Sequence, residues 1–197
     1  MRTRDTGKEQ LVKRKAIDLI LKHGLEGFSM NKLARACGIS VATLYIYYKD
    51  RDDLIIKIAM EEGQRMGKAM VKGFNPESSF ENGLRVQWKN RYKYMIENKN
   101  IHTFFDQVRS STYQQQFLKS FMNDFKKTVG KFMDNVVKRG EINAMPVEVY
   151  WSVAFAPLYS LIRFHNEGHS LGGKPFKMTD AVMQKTFDLV IKALKNK

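Results

Sequence analysis

Hydroxyl groups occur close together in residues 41–48, VATLYIYY, a stretch that contains no charged residue. At about 100° per residue of an α-helix, Thr43 and Tyr47 lie on one flank and Tyr45 lies on the other. Hydroxyl groups in these places can donate hydrogen bonds to phosphate oxygens, which are the contacts that position a protein on a nucleic acid. The chemistry indicated is therefore hydrogen bonding to a polyanion.

The remaining side chains of this stretch divide into an inward and an outward pair. Leu44 and Tyr48 share one face, which we expect to pack into a core, and Ala42 and Ile46 point the opposite way. Small apolar groups make contact with thymine methyl groups in the major groove of DNA. These residue types predict a base-reading tip between phosphate contacts, although tyrosine and isoleucine in a short helix also commonly belong to a core.

The residues before this stretch predict the elements that hold it in place. Leu33, Ala34 and Cys37 form an apolar stripe that one helix face can bury. Gly38 supplies the backbone freedom for a sharp turn, and Ser40 stands where an N-cap is preferred. Two short helices about a tight glycine turn are a helix-turn-helix, whose second helix reads bases while the first crosses the DNA backbone.

Residues 12–54 resemble the DNA-binding domain of the TetR (tetracycline-repressor) family of bacterial regulators. The family pattern appears in this sequence as Leu33-Ala34, Cys37-Gly38-Ile39-Ser40, Ala42-Thr43-Leu44-Tyr45, Tyr47-Tyr48, Arg51-Asp52 and Leu54. The upstream helix also fits, since Ala16, Ile17 and Ile20 match its apolar positions and Gly24 matches the glycine that ends it. The departures are Cys37 for alanine, Ala42 for glycine, Tyr48 for phenylalanine and Arg51 for lysine.

This resemblance implies a set of DNA contacts and a second functional part. The family positions that touch DNA correspond here to Ser29, Asn31, Val41, Ala42, Thr43, Tyr45, Tyr47 and Arg51. We expect Tyr47, Arg51 and Ser29 to contact phosphates, because Arg51 and Ser29 sit at helix starts, where backbone N–H groups also favour an anion. The resemblance further implies a C-terminal part that binds a small effector and dimerises through the last two long helices.

The rest of the sequence predicts helices throughout, so the expected fold class is all-α with about nine helices. Capping boxes at residues 78–81 and 112–115 indicate helix starts. Gly73 to Pro76 interrupts a long connecting helix of about residues 50–72. We therefore place a three-helix helix-turn-helix domain in residues 1–54 and a helical effector-binding and dimerisation domain in residues 73–197.

Aromatic side chains between residues 79 and 166 supply material for an apolar pocket with a few polar groups. The candidates for lining it are Trp88, Tyr92, Phe105, Arg109, Phe121, Trp151, Phe155 and Tyr159. An aromatic stripe at helical spacing is more often core than pocket, so both interpretations stay open. Pro157 predicts a kink in the helix of residues 146–166, because proline loses one backbone hydrogen bond and crowds the preceding turn.

The last predicted helix has one apolar face, formed by Met183, Phe187, Val190, Ile191 and Leu194. Paired with the helix of residues 146–166, this helix predicts a four-helix bundle across a two-fold axis between two copies of the chain. Dimerisation has a purpose in DNA recognition, since two recognition helices about 34 to 36 Å apart read a pseudo-palindrome.

Composition narrows the class of protein and of partner. The 34 lysine and arginine residues against 20 aspartate and glutamate residues give a net charge of +14, which predicts a polyanionic partner. A single cysteine excludes an internal disulfide framework. The N-terminus lacks the apolar centre of a signal peptide, and the longest uncharged run is too short to cross a membrane. We therefore expect a soluble cytoplasmic protein without a membrane partner.

Three further patterns suggest catalysis, metal binding or redox chemistry, but each is incomplete. Gly168 to Lys174 fits the first part of a phosphate-binding loop, yet Pro175 stands where a serine or threonine would hold magnesium. His165 and His169 have a spacing that suits zinc, without a cluster that completes a site. Cys37 is better explained as a small buried apolar residue than as a redox sensor. We therefore predict neither an enzyme nor a bound cofactor or metal.

Taken together, these patterns predict a dimeric, ligand-responsive transcriptional regulator, a repressor that binds a palindromic operator on double-stranded DNA and is released by a small molecule. Two alternatives from other classes remain. One is a basic nucleoid-associated protein with weak, strongly salt-dependent binding. The other is a nucleotide-hydrolysing enzyme that uses the loop of residues 168–174, which requires ATP binding near Lys174.

Overall fold

The computed structural model describes residues 6–116 and 123–196, and apart from two isolated β-bridges the regular structure of these residues is helical. The ten described helices are α1 Thr6–Gly27, α2 Met30–Cys37, α3 Val41–Tyr47, α4 Arg51–Met70, α5 Phe80–Glu97, α6 Lys99–Arg109, α7 Asn123–Lys138, α8 Val147–Ala154, α9 Ala156–Glu167 and α10 Asp180–Leu194. The all-α class is confirmed, and the number of helices is slightly higher than expected. None of the described helices combines the length and the apolar character needed to cross a membrane.

One additional helix comes from residues 146–166, which were predicted as a single kinked helix. They form two helices, α8 and α9, because the helical backbone is broken at Phe155 (φ −127°, ψ −29°). Pro157 lies in the first turn of α9, where its missing N–H needs no partner. The proline therefore begins a helix instead of bending one.

The described residues group into two compact units. Unit 1 lies within Met1–Arg65 and Asn98–Phe121, and unit 2 lies within Met66–Glu97 and Met122–Lys197. The boundary expected near residue 73 follows chain order, whereas the packing returns the stretch after residue 97 to the unit that contains the helix-turn-helix. The assignment of DNA binding and effector binding to separate domains stays a prediction.

Unit 1 is built on α1, which packs against both α2 and α6, while α2 packs against α3. Its fully buried side chains include Ile20, Leu33, Leu44 and Phe104. Gly24 (φ 72°) interrupts the helical backbone of α1, at the position where the first helix was expected to end.

Unit 2 is built around α5, which packs against α9, and α10 packs against both α8 and α9. The side chains of Phe80, Leu84 and Trp88 on α5 are buried. A Cβ atom at Gly83 would lie 2.3 Å from the ring of Phe132 on α7, so only glycine permits this close approach.

The helix starts differ in detail from the predicted capping boxes. At the start of α5, Glu141 accepts a hydrogen bond from the Phe80 N–H (2.6 Å), and Ser79 Oγ accepts one from the Asn82 N–H (3.4 Å). A carboxylate distant in sequence thus replaces the expected partner, Glu81. At the second box, Ser111 rather than Thr112 accepts a hydrogen bond from the N–H of Tyr113 (3.2 Å). The continuation of that predicted helix through Phe117 lies outside the described residues.

Candidate nucleic-acid interface

The first helix of the predicted motif is capped at both ends. Ser29 Oγ accepts a hydrogen bond from the N–H of Lys32 (3.3 Å) at the start of α2. At its end, Gly38 adopts the left-handed conformation (φ 65°, ψ 32°), and its N–H donates to the carbonyl of Arg35 (3.2 Å). This conformation favours glycine because a Cβ atom strains it. The sharp turn predicted at Gly38 is confirmed.

The second helix, α3, is held by its N-cap and by its inward side chains. Ser40 Oγ accepts a hydrogen bond from the N–H of Thr43 (3.1 Å), which confirms the predicted N-cap. Leu44 and Tyr48 are 0% and 2% exposed, so the predicted inward pair is also confirmed. A helix of only seven residues is unstable by itself in water, and these buried contacts therefore keep it in place.

The outward side of α3 presents apolar groups to solvent. Ile46 is 76% exposed and Tyr45 is 53% exposed, and Ala42 beside them is exposed as well. The interpretation of Tyr45 and Ile46 as core residues is therefore wrong. Two large apolar side chains and one small one, all exposed, have the size and chemistry to contact base edges in a groove.

Arg51, at the start of α4, is held in place by hydrogen bonds within unit 1. Its guanidinium donates hydrogen bonds to the carbonyl oxygens of Leu25 and Phe28 (3.2 Å to Phe28) and to the Tyr113 hydroxyl (3.2 Å). The Tyr113 hydroxyl donates in turn to Asp52 (2.7 Å). Burial and this hydrogen bond raise the pKa of Tyr113 to about 12. The arrangement holds Arg51 in one orientation at the end of the helix-turn-helix.

The C-terminal end of α3 is joined to α4 by a reciprocal cap. Asp53 accepts a hydrogen bond from the N–H of Lys49 (2.9 Å), and Asp50 accepts one from the N–H of Asp53 (2.8 Å). Lys57 forms an ion pair with Asp53 (2.8 Å) and also donates to the carbonyl of Tyr47 (3.4 Å). Burial of Asp53 acts against its charge, but the hydrogen bonds from Lys57 and Lys49 lower its pKa below the ordinary value.

The eight predicted DNA contacts are all in unit 1, on α2, α3 and the residues that begin α2 and α4. The exposed ones are Asn31, Ala42 and Tyr45, and the half-buried ones are Ser29, Val41, Thr43, Tyr47 and Arg51. The hydroxyl groups of Ser29 and Thr43 take part in the helix caps. Sequence reasoning missed the support of Arg51 by Tyr113, since no local pattern links residues so far apart.

Unit 2 contains an open groove of about 570 Å³ between α5 and α10. Two predicted ligand residues, Trp88 and Tyr92, line it together with Phe187 of α10. The basic side chains of Arg85, Lys89 and Lys93 border the groove, and the guanidinium of Arg85 lies 4.3 Å from the ring centre of Phe187. The groove is therefore apolar inside, and its border has basic side chains on α5 as well as the carboxylates of Glu97 and Asp180.

The other predicted ligand residues are distributed over several places. Phe105 and Arg109 belong to α6 in unit 1, where Phe105 is buried and Arg109 pairs with Asp106. Trp151, Phe155 and Tyr159 form an aromatic row in unit 2, with ring centres 5.0 and 5.8 Å from Trp151 to the other two. Phe121 lies outside the described residues. The role of all these residues in ligand binding stays a prediction.

Sequence reasoning missed three polar residues buried in unit 2, beside this aromatic row. Gln87 and Arg91 of α5 are both 0% exposed, and Tyr150 of α8 is 3% exposed. A signal was present in the sequence, because Gln87 and Arg91 are one helical turn apart and flank Trp88 on the side of α5 that carries its apolar residues.

The incomplete enzyme, metal and redox patterns remain without a complete site in the described residues. In the loop of residues 168–174, the N–H of Ser170 donates to the carbonyl of Lys174 (2.8 Å) and the N–H of Gly173 donates to Ser170 (2.9 Å), so the loop is internally bonded. No cluster of three or more histidine, cysteine, aspartate or glutamate side chains suited to a metal occurs in the part of the chain that the structure describes. Burial raises the pKa of the Cys37 thiol, which disfavours the reactive thiolate.

Comparison with known proteins places this geometry in a family. Residues 13–58 match the family model described as bacterial regulatory proteins, tetR family. An uncharacterized HTH-type transcriptional regulator of Haemophilus influenzae is 28% identical over 105 residues, 53% of this chain and 56% of the relative. A fatty acid metabolism regulator protein of Bacillus subtilis is 18% identical over 126 residues, 64% of this chain and 63% of the relative. The aligned stretches thus span little more than half of these curated relatives.

Solved structures show the fold over nearly the whole chain. A TetR family transcription regulator from Marinobacter aquaeolei VT8 is 22% identical with a TM-score of 0.81, and the match covers 100% of both chains. A transcriptional regulator FadR from Bacillus subtilis, in complex with stearoyl-CoA, is 14% identical with a TM-score of 0.71, over 93% of this chain and 97% of that one. The helix-turn-helix geometry and the family model agree over residues 13–58, which match the tetR family of bacterial regulatory proteins, and the solved structures show a similar fold over nearly the whole chain.

Proposed function

We propose that this protein is a transcriptional repressor that binds a palindromic operator as a homodimer and leaves it when a small molecule binds to unit 2. It acts by binding rather than by catalysis, and it works in the cytoplasm. The observation that carries the proposal is the outward face of α3, where Ile46 and Tyr45 are exposed on a short helix whose opposite face is anchored in the core. An exposed apolar face of this kind is typical of a surface that binds a partner.

On the operator, α3 enters the major groove and α2 crosses the backbone. Ala42 and Ile46 touch thymine methyl groups, and the hydroxyl groups of Thr43, Tyr45 and Tyr47 bond to base edges and phosphates on either side. Arg51 places its charge near the phosphates from a position fixed by the carbonyls of Leu25 and Phe28. A net charge of +14 adds a sequence-independent attraction to DNA.

The dimer forms through α9 and α10, as in the four-helix bundle that the sequence predicts. Within one chain, Phe187, Val190 and Leu194 are at most 6% exposed, so most of the predicted apolar face of α10 packs in its own unit. Leu189, on another face of the same helix, is 61% exposed and is available to a second copy. The bundle sets the spacing of the two recognition helices, and the effector acts by changing that spacing.

Unit 2 holds the effector. The fully buried polar side chains of Gln87 and Arg91 support this assignment. The FadR structure of similar fold contains stearoyl-CoA, which makes an acyl compound a reasonable first class of molecules to screen.

The proposal is tested by selecting bound sequences from a random pool of DNA duplexes at near-physiological salt. We expect an inverted repeat to be enriched, and the enrichment to disappear when Thr43→Ala and Tyr47→Phe are combined. Enrichment of no sequence, with binding that vanishes as the salt concentration rises, would favour the nonspecific nucleoid-associated alternative. A second assay, operator release in the presence of acyl compounds, tests the regulatory part separately.

A further inference from the structure

Three polar groups converge inside unit 2 in a place where water has no access. Arg91 of α5 is 0% exposed, and its guanidinium donates to the backbone carbonyl of Gln87 (3.4 Å) and to the Gln87 side-chain oxygen (3.2 Å). Removing a charge from water is expensive unless other groups compensate for it. The guanidinium of Arg91 thus holds a positive charge inside unit 2, where it attracts an anion more strongly than it would in water.

Aromatic rings and one phenol surround this guanidinium. Its central carbon lies 4.0 Å from the ring centre of Phe155 and 5.8 Å from that of Trp151. Tyr150, 3% exposed, packs its ring edge-on against Phe155 at 5.8 Å. Burial raises the pKa of Tyr150, against the opposing influence of the nearby Arg91 charge. The phenol therefore keeps its proton and remains a hydrogen-bond donor.

Two donors of this cluster have no acceptor. The side-chain nitrogen of Gln87 and the hydroxyl of Tyr150 are buried and form no hydrogen bond. Each such donor lowers the stability of a folded protein, and native proteins rarely keep one without a reason. These two donors need acceptors, and the positive charge beside them favours an anion over a neutral acceptor.

We propose that Gln87, Arg91 and Tyr150 bind the carboxylate of a small organic acid, which is the effector of the repressor. This inference rests on the function proposed above, whose effector it assigns to a chemical class. A carboxylate has two acceptor oxygens and fits the planar guanidinium. Its single charge is also less costly to bury in an apolar site than the two charges of a phosphate dianion. The apolar remainder of the acid packs against the rings of Phe155 and Trp151.

Trp151 extends from this site to the surface of unit 2. Its ring contacts Arg91 and Phe155, stacks on Tyr159 at 5.8 Å, and is still 37% exposed. A ligand that reaches Arg91 must therefore alter the surroundings of Trp151. The sequence has two tryptophans, and the other, Trp88, is buried with its indole N–H bonded to the carbonyl of Ala154 (2.7 Å). A Trp88→Phe background makes Trp151 fluorescence a specific reporter.

The first test concerns the ligand-free protein. Tyr150→Phe and Gln87→Leu each remove a donor without an acceptor, so we expect the melting temperature to stay the same or to rise. Tyr92→Phe, a tyrosine outside the cluster, is the matched control for the loss of a phenol. A fall of several degrees in both cluster variants, with no change in the control, would show that the donors are satisfied by buried water, and this would overturn the inference.

The second test measures binding directly, by calorimetry and by Trp151 fluorescence of the full chain. The probes are hexanoate, decanoate and tetradecanoate, the alcohols of the same lengths, and inorganic phosphate. We expect at least one carboxylate to bind with saturation and its alcohol to bind roughly tenfold more weakly or worse. Tyr150→Phe and Arg91→Met should each weaken the carboxylate by about tenfold or more, since hydrogen bonds to a charged group are lost.

The open groove between α5 and α10 is a different site in unit 2, and its lining shares no residue with the cluster. Lys89→Met is the control variant for ligand binding in that groove. We expect it to leave carboxylate affinity within about twofold, because it lies outside the site. Loss of binding in Lys89→Met with none in Tyr150→Phe, equal binding of acids and alcohols, preference for phosphate, or failure of every carboxylate to bind would each overturn the inference. These readouts do not involve DNA, so a failure to find an operator is a separate result.

Discussion

The recognition helix α3 and the central helix α5 depart from the usual burial pattern in opposite ways. On α3, Ile46 and Tyr45 place apolar surface in water. On α5, Gln87 and Arg91 place a polar group and a charge in an apolar interior. Water-facing positions are ordinarily polar and buried positions ordinarily apolar, so each helix contains exceptions to this pattern.

The two kinds of exception affect the stability of the folded chain differently. An exposed apolar side chain costs little stability. Substitutions on the exposed face of α3 can therefore change its binding to a large partner without harm to the fold. Buried donors without acceptors, such as the Gln87 side-chain nitrogen on α5, cost stability directly. We therefore expect substitutions on the exposed face of α3 to affect binding alone, and substitutions of buried residues on α5 to affect stability.

The largest expected effect comes from a pair of substitutions within α3. Leu44→Ala removes a side chain that is 0% exposed and should lower the free energy of unfolding by about 2 to 5 kcal/mol. Ile46→Ala, on the exposed face, should change it by no more than about 0.5 kcal/mol. Chemical denaturation followed by circular dichroism measures both. A loss of stability in Ile46→Ala equal to that of Leu44→Ala would contradict the two-faced character of the helix.

The same Ile46→Ala variant should lose operator affinity. Burial of the Ile46 side chain against thymine methyl groups contributes roughly 1 to 2 kcal/mol, so affinity should fall about 5- to 30-fold. Fluorescence anisotropy with the selected operator duplex measures this change. Normal affinity in Ile46→Ala would mean that the exposed face of α3 does not read DNA.

A comparable test on α5 adds a single methyl group. Gly83→Ala would place a Cβ atom 2.3 Å from the ring of Phe132, which must shift. Overpacking of this kind typically costs about 1 to 3 kcal/mol. Gly130→Ala on α7, where a Cβ atom meets nothing within 4 Å, is the control. Thermal unfolding should separate the two variants clearly, and equal melting temperatures would show that α5 and α7 are not closely packed.

Tyr47→Phe tests the hydroxyl that we assign to a phosphate contact. The fold should survive, since the half-buried ring is retained, and operator affinity should fall by about tenfold through loss of a charge-assisted hydrogen bond. Calorimetric titration with the operator reads the change, with the unfolding curve as a check. Unchanged affinity would remove the Tyr47 hydroxyl from the contacts, whereas loss of folding would make it structural.

The smallest expected effect concerns the cap that joins α3 to α4. The pKa of Asp53 is lowered in the folded chain, so its charge stabilises the fold above the unfolded pKa of about 3.9 and this contribution is lost as the pH falls through the folded value. Asp53→Asn keeps an acceptor but loses the charge, which should cost no more than about 1 kcal/mol at pH 7. Melting temperatures between pH 3 and pH 7 should converge for the two proteins at the acid end. A constant gap would assign the effect to packing.

Local signals made the helix-turn-helix predictable from sequence. The turn at Gly38, the N-cap at Ser40 and the inward pair Leu44 and Tyr48 each depend on residues within a few positions of one another. Interactions of this range follow from helical geometry and backbone chemistry alone. The break at Phe155 was harder, because Pro157 is compatible with either a kinked helix or a new one, and the surrounding packing decided between them.

The sequence by itself determined the helical class, the position of the DNA-reading helix and the face of that helix that is buried. Only the tertiary structure decided that Tyr113 supports Arg51 across 62 positions of sequence, that Glu141 caps α5, and that Gln87, Arg91 and Tyr150 meet without acceptors for two of their donors. The physical reason is range: periodicity and capping act within a turn or two of helix, whereas burial and hydrogen-bond satisfaction depend on whichever distant segments the folded chain brings together.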